Sequence, residues 1–92
     1  MLPNRLALDD LLQTRAQTHG DYRENAEIAQ ELKAVMRRSP NWCLLTDAMR
    51  ESLDMDATKT ARILAGDPFE LDHWSDKDGY RGLVRQEIER RR

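Results

Sequence analysis

One cysteine, Cys43, stands in the 92 residues. That excludes an internal disulfide framework, a CxxC redox pair and any zinc-ligand spacing built on thiols. Flanked by Trp42 and Leu44, it is predicted to be a buried small hydrophobe. No stretch is long and apolar enough to span a bilayer, and MLPNRLALDD lacks the apolar run of a signal peptide, so a cytoplasmic location is the default expectation. Neither sign of charge dominates: 15 Lys and Arg face 17 Asp and Glu, for a net −2. Such a balance argues against nucleic acid as a partner and against a disordered acidic tail. Period-2 alternation, internal repeats, low-complexity segments, Gly-rich phosphate loops and a nucleophile with an adjacent base are all missing.

What is there is helical. The first segment spans Asn4 to Gln17, with Leu6, Leu8, Leu11 and Leu12 as its apolar residues, and stops at Thr18-His19-Gly20. Asp21 is placed to cap a second helix, with Glu24 three residues on as in a capping box; Ala26, Ile28, Ala29, Leu32, Val35 and Met36 form its apolar face, and Arg37-Arg38 its end. Ser39-Pro40 reads as a helix restart, with a break within Asn41 to Thr46, since Thr46 can itself cap a helix from Asp47. The third helix ends near Ala65, at Gly66-Asp67-Pro68. A fourth begins at Asp72 or Ser75 and runs towards Arg90, with Gly79 as a candidate close approach between helices. The reading is a single all-α domain, 1–92, of about four helices. A chain of this length buries only about 60–65% of its unfolded surface, so a thin core completed by oligomerisation, as a homodimer or higher, is expected.

Two acidic doublets stand out: Glu24-x-x-Glu27 and Glu51-x-x-Asp54. Residues three apart are neighbours on a helix surface. Two doublets on facing helices can present four carboxylates to one hard cation, the donor set of Mg²⁺, with Mn²⁺ as its substitute. By spacing alone, ion-paired solvated faces are the plainer reading, because acids are plentiful here. On the wheel Glu24 and Asn25 flank the Ile28/Leu32 stripe, while Glu27 points away and Asn25 or Asp21 is a replacement for it. Glu51, Met55, Thr58 and Arg62 lie close together, with Asp54 to one side. Lys59 is either a surface ion pair with Asp56 or a phosphate contact. Asp72 and Asp76, one turn apart, are N-terminal charges or further metal ligands; His73 reads as a boundary group and His19 as isolated, for want of a histidine at i+4. Trp74 and Tyr80 read as core or interface aromatics, and the Arg-rich terminus as a solvated helix end.

The ordered succession HGDYRENAEIAQELKAVMRRSPNW, ESLDMDATKTARILAGDP and DHWSDKDGYRGLV resembles a family of small phage and prophage proteins of unknown function. These in turn resemble the MazG-like all-α nucleoside triphosphate pyrophosphohydrolases. The resemblance covers about residues 15–85 and carries over Glu24, Asn25, Lys59, Arg62, Asp72, Trp74, Asp76, Gly79 and Tyr80. It implies magnesium held by Glu24, Glu27, Glu51, Asp54 and Asp76, with Glu51 and Lys59 in catalysis. Asn25, Lys59, Arg62 and Asp72 are implied to hold the nucleotide or support the ligands. The reaction implied is attack of a metal-held water on the α–β phosphoanhydride of a nucleotide, in the host cytoplasm. Two departures put charge where the family packs apolar side chains: Asp56, and Lys77-Asp78 before Gly79-Tyr80. The competing expectation is a non-enzymatic helical protein that binds a host or phage partner through an apolar helix face.

Overall fold

The structure, a computed structural model, describes residues 5–92. Four helices follow one another: α1 (Arg5–His19), α2 (Tyr22–Arg37), α3 (Asp47–Ala65) and α4 (Leu71–Arg91), with a 3₁₀ turn at Trp42–Leu44 and no strand among the described residues. The all-α expectation holds. The predicted start at Asn4 and the side chain of Leu6 lie outside the described part.

The caps explain the boundaries. The carboxylate of Asp21 accepts a hydrogen bond from the Arg23 N–H at 2.9 Å, and the hydroxyl of Thr46 accepts from the Met49 N–H at 3.2 Å. Ser39-Pro40 is not a restart: the Ser39 hydroxyl donates back to the Val35 carbonyl at 2.7 Å, so it closes α2 rather than opening α3. The chain between is pinned at Trp42, whose ring has the Arg37 and Arg50 guanidinium carbons 5.5 and 5.8 Å from its centroid. Arg50 also donates to the carbonyls of Trp42 and Cys43. Cys43 is exposed, contrary to expectation. α4 begins at Leu71, ahead of both predicted starts.

α3 is the central helix, packed on α2 and on α4, with α1 resting more lightly against α2 and α3. Among the described residues the buried hydrophobic side chains are Ala29, Ala57 and Ala61. Small residues let the helix backbones approach closely but bury little apolar area per residue. Gly79 has open space around it and marks no helix contact. Trp74 remains 48% exposed and lies over the α3–α4 turn, its indole N–H donating to the Pro68 carbonyl at 2.9 Å.

The two charged departures compensate each other. Asp56 sits 3.5 Å from the Lys77 ammonium and 2.9 Å from the Arg81 guanidinium, while Lys77, 9% exposed, donates to the Thr60 hydroxyl at 2.8 Å. An ion pair thus joins α3 to α4 at this level. Removing one partner leaves the other poorly compensated, whereas replacing both by apolar groups need not destabilise. Asp56→Ala is expected to cost about 1–2 kcal/mol, less than a fully buried pair because Asp56 keeps some solvent. The Asp56→Leu/Lys77→Met double variant is expected to return to within about 1 kcal/mol of wild type. Urea unfolding of the singles and the double checks both figures.

Candidate functional site

The residues singled out by sequence divide into two groups. Lys59 from α3 and Asp72 and Asp76 from α4 meet at the end of the bundle where α1 turns into α2. With Thr18, His19, Glu70 and His73 they line a cleft of about 280 Å³. Asn25 from α2 and Arg62 from α3 line an adjoining groove of about 940 Å³ between α1, α2 and α3, and His19 borders both hollows. Five predicted residues on three helices therefore share one end of the molecule.

The frame beneath them is a contact between two turns. Gly20, at φ +82°, faces the Ala65 carbonyl, and Gly66 faces the backbone of Thr18 and His19, so a Cβ on either glycine would sit inside the opposite turn. The Thr18 carbonyl, left without an intrahelical partner at the end of α1, accepts from the Asp67 N–H at 3.0 Å. His73 Nε2 lies 3.2 Å from the same oxygen; a carbonyl can only accept, which assigns the proton to Nε2. His73 is 2% exposed, not a boundary group, and its ring lies 5.1 Å from that of His19. Sequence reasoning sought each histidine's partner one turn along its own helix. The contacts came from the opposite turn: His73 meets the Thr18 carbonyl and the His19 ring.

Electrostatics at this end are mixed. Lys59 pairs with Asp76 at 2.8 Å, not with Asp56. Asp76 is held below its ordinary value of 3.8, first by the hydrogen bond from Lys59 and then by that ammonium's charge. Asn25 donates from its amide to the His19 carbonyl at 3.0 Å, fixing the start of α2 to the turn. Burial first, then the positive charges of Arg62, His73, Lys59 and Arg15, lower His19 below its ordinary 6.5. Arg15, Lys33 and Arg62, all lining the groove, take part in no ion pair among the described residues; Asp21 is the only acid in that lining.

The lowered His19 has a consequence for stability. Below about pH 6.5 the unfolded chain takes up a proton that the folded chain resists, so the stability present above that pH is lost as pH falls towards the folded value. The melting temperature is expected to decline between pH 7.5 and 5.5, and less steeply in His19→Gln. Asp76 acts in a separate window, its contribution being lost only as pH falls below about 3.8. Thermal melts across pH in both proteins check the assignment.

The second group does not join the first. Glu24, Glu27 and Glu51 are exposed. Asp54 is engaged by Arg37, whose Nη2 lies 3.3 Å from both carboxylate oxygens, though only Oδ2 receives an aligned hydrogen bond and the buried Oδ1 receives none. Among the described residues no group of three or more His, Cys, Asp or Glu side chains is arranged to hold a metal ion. The magnesium set expected from Glu24, Glu27, Glu51, Asp54 and Asp76 therefore does not assemble within one chain. Asp76 is near Lys59, and Asp54 is tied to Arg37 instead. Among the described residues no helix is long and apolar enough to cross a membrane. No family model, curated protein or solved structure matches the chain.

Proposed function

We propose that this chain binds a nucleoside triphosphate in the manner of the MazG-like pyrophosphohydrolases, with the phosphates at the shared end of the groove and cleft. The observation that supports this reading is the meeting of Asn25, Arg62, Lys59, Asp72 and Asp76 around His19. Arg15 and Arg62, which take part in no ion pair among the described residues, offer positive charge of the kind a polyphosphate engages. Asn25 and the Nε2-protonated His73 hold the turn that carries His19. A groove of about 940 Å³ lies within the size range of small-molecule and cofactor sites.

The α–β phosphoanhydride is the bond such an enzyme cleaves. Because the carboxylates expected to bind magnesium do not converge in one chain, hydrolysis on this reading awaits acids from elsewhere. The test is a nucleotide panel with magnesium or manganese, assayed for pyrophosphate release on wild type and Glu51→Gln. Release by wild type that is lost in Glu51→Gln supports a pyrophosphohydrolase. Nucleotide binding without release supports a binding protein. Neither binding nor release on any nucleotide overturns the reading, and leaves the interaction protein favoured by the outward-facing acids and exposed leucines.

A further inference from the structure

One cation of the groove has no place in the phosphate site. Arg15 and Arg62 both act on the charge of His19, which sets them at the end given to the phosphates. Lys33 lines the same groove and is half-buried. It takes part in no ion pair among the described residues and is not among the leading charges acting on His19. It stands eight residues beyond Asn25 on α2, about 12 Å along the helix axis. The floor of the groove includes Ala16, Ala26 and Ala29, with Leu12 in its wall. Those side chains offer a flat ring apolar contact and no hydrogen bond. A nucleotide anchored by its phosphates at Arg62 thus lays its base along the alanines, with an edge towards Lys33.

Which bases suit that edge follows from what an ammonium can do. It has three donors and no acceptor. Guanine and thymine carry an exocyclic oxygen that accepts hydrogen bonds, where adenine and cytosine carry an amino group that donates. Gln30, three residues before Lys33 and exposed on the same groove, brings a carboxamide with both an acceptor and donors. A keto base has a ring N–H beside its oxygen, so Lys33 can donate to the oxygen while the Gln30 carbonyl accepts the N–H. An amino base turns a donor towards the ammonium, and the two donors face each other unpaired. We propose that Lys33, supported by Gln30, determines specificity in this groove, selecting nucleoside triphosphates of keto bases (guanine, hypoxanthine, uracil and thymine) over those of adenine and cytosine. Selection of the base rests on the nucleotide reading and adds to it the part of the ligand that the phosphate end leaves unassigned.

The experiment is isothermal titration calorimetry of the metal-free chain with two matched pairs, ITP against ATP and UTP against CTP. The members of each pair share ring system, sugar and charge and differ in the keto or amino edge. Wild type is expected to favour the keto member of each pair by about 10- to 100-fold, the worth of a charge-assisted hydrogen bond gained against a donor left unpaired. Lys33→Met keeps the apolar stem and loses the donors, and is expected to bind both members of a pair within about 3-fold of each other. Lys33→Glu, an acceptor only, is expected to reverse the order within each pair, since the repulsion it adds falls on all four triphosphates alike. Circular dichroism checks that both variants keep their helicity, and the wild-type ratios need no variant. Equal binding of the members of each pair by wild type overturns base selection alone and leaves the nucleotide reading standing. So does a preference that survives both substitutions, or a Lys33→Met loss that falls equally on all four, which makes Lys33 a phosphate contact. No binding of any of the four sinks the functional reading and base selection with it.

Discussion

Gly66→Ala is expected to lower the melting temperature by about 10–20 °C, from a loss of about 3 kcal/mol or more. The added methyl would enter the backbone of Thr18, His19 and Gly20. Neither side has a flexible side chain to move aside, so the two turns must separate. Their separation breaks the Asp67 N–H bond to the Thr18 carbonyl and draws that oxygen away from His73. A buried imidazole is then left without a partner, which adds its own cost. Gly20→Ala is expected to behave at least as badly, since φ +82° disfavours any Cβ even in open space. Gly79→Ala is the control: its surroundings are open and its position is helical, so a gain of about 0.5–1 kcal/mol is expected. Differential scanning calorimetry on the three variants separates a close-contact glycine from one that merely loosens a helix.

The second large effect concerns Arg62. It lies in the groove wall, has no ion-pair partner among the described residues, and is the leading charge acting on His19. Arg62→Ala is expected to weaken nucleoside triphosphate binding by about 10- to 100-fold, the loss of one charge-assisted phosphate contact. It is also expected to raise the His19 pKa, because a positive neighbour is removed. The second readout needs no ligand and is followed by NMR titration of the imidazole. Lys59 offers a contrast, since its ammonium already faces Asp76 at 2.8 Å. A phosphate must displace that carboxylate before it gains the contact, so Lys59→Ala is expected to weaken binding less than Arg62→Ala.

Much of the fold was legible because helix ends are written in adjacent residues. Asp21, Thr46 and Gly20 act within two or three positions of themselves, and each does what its chemistry suggests. Ser39-Pro40 misled because a serine hydroxyl serves a preceding carbonyl as readily as a following N–H. Five of the candidate residues, Asn25, Lys59, Arg62, Asp72 and Asp76, line adjoining hollows at one end of the molecule, but their pairings were not legible in the sequence. Lys59 meets Asp76 across two helices, and His73 meets the carbonyl of Thr18 from the far side of the chain. Such distant partners leave no trace at i+3 or i+4. Asp56 is the instructive case. Alone it is an acid in an apolar position; beside Lys77 and Arg81 it is half of a cross-helix ion pair. The doublets show the converse: their spacing is as read, yet Glu24, Glu27 and Glu51 are exposed and join no group of three or more acids or histidines arranged to hold a metal ion among the described residues.

The central question is whether phosphates sit at the His19 end of the groove. The direct measurement is an NMR titration of the metal-free wild-type chain with a nucleoside triphosphate, following the His19 imidazole and the Asn25 side-chain amide. Saturable shifts at both groups, weakened by Arg62→Ala and accompanied by a rise in the His19 pKa as phosphate charge arrives, are the expected result. Unmoved His19 and Asn25 signals at millimolar nucleotide would contradict the account.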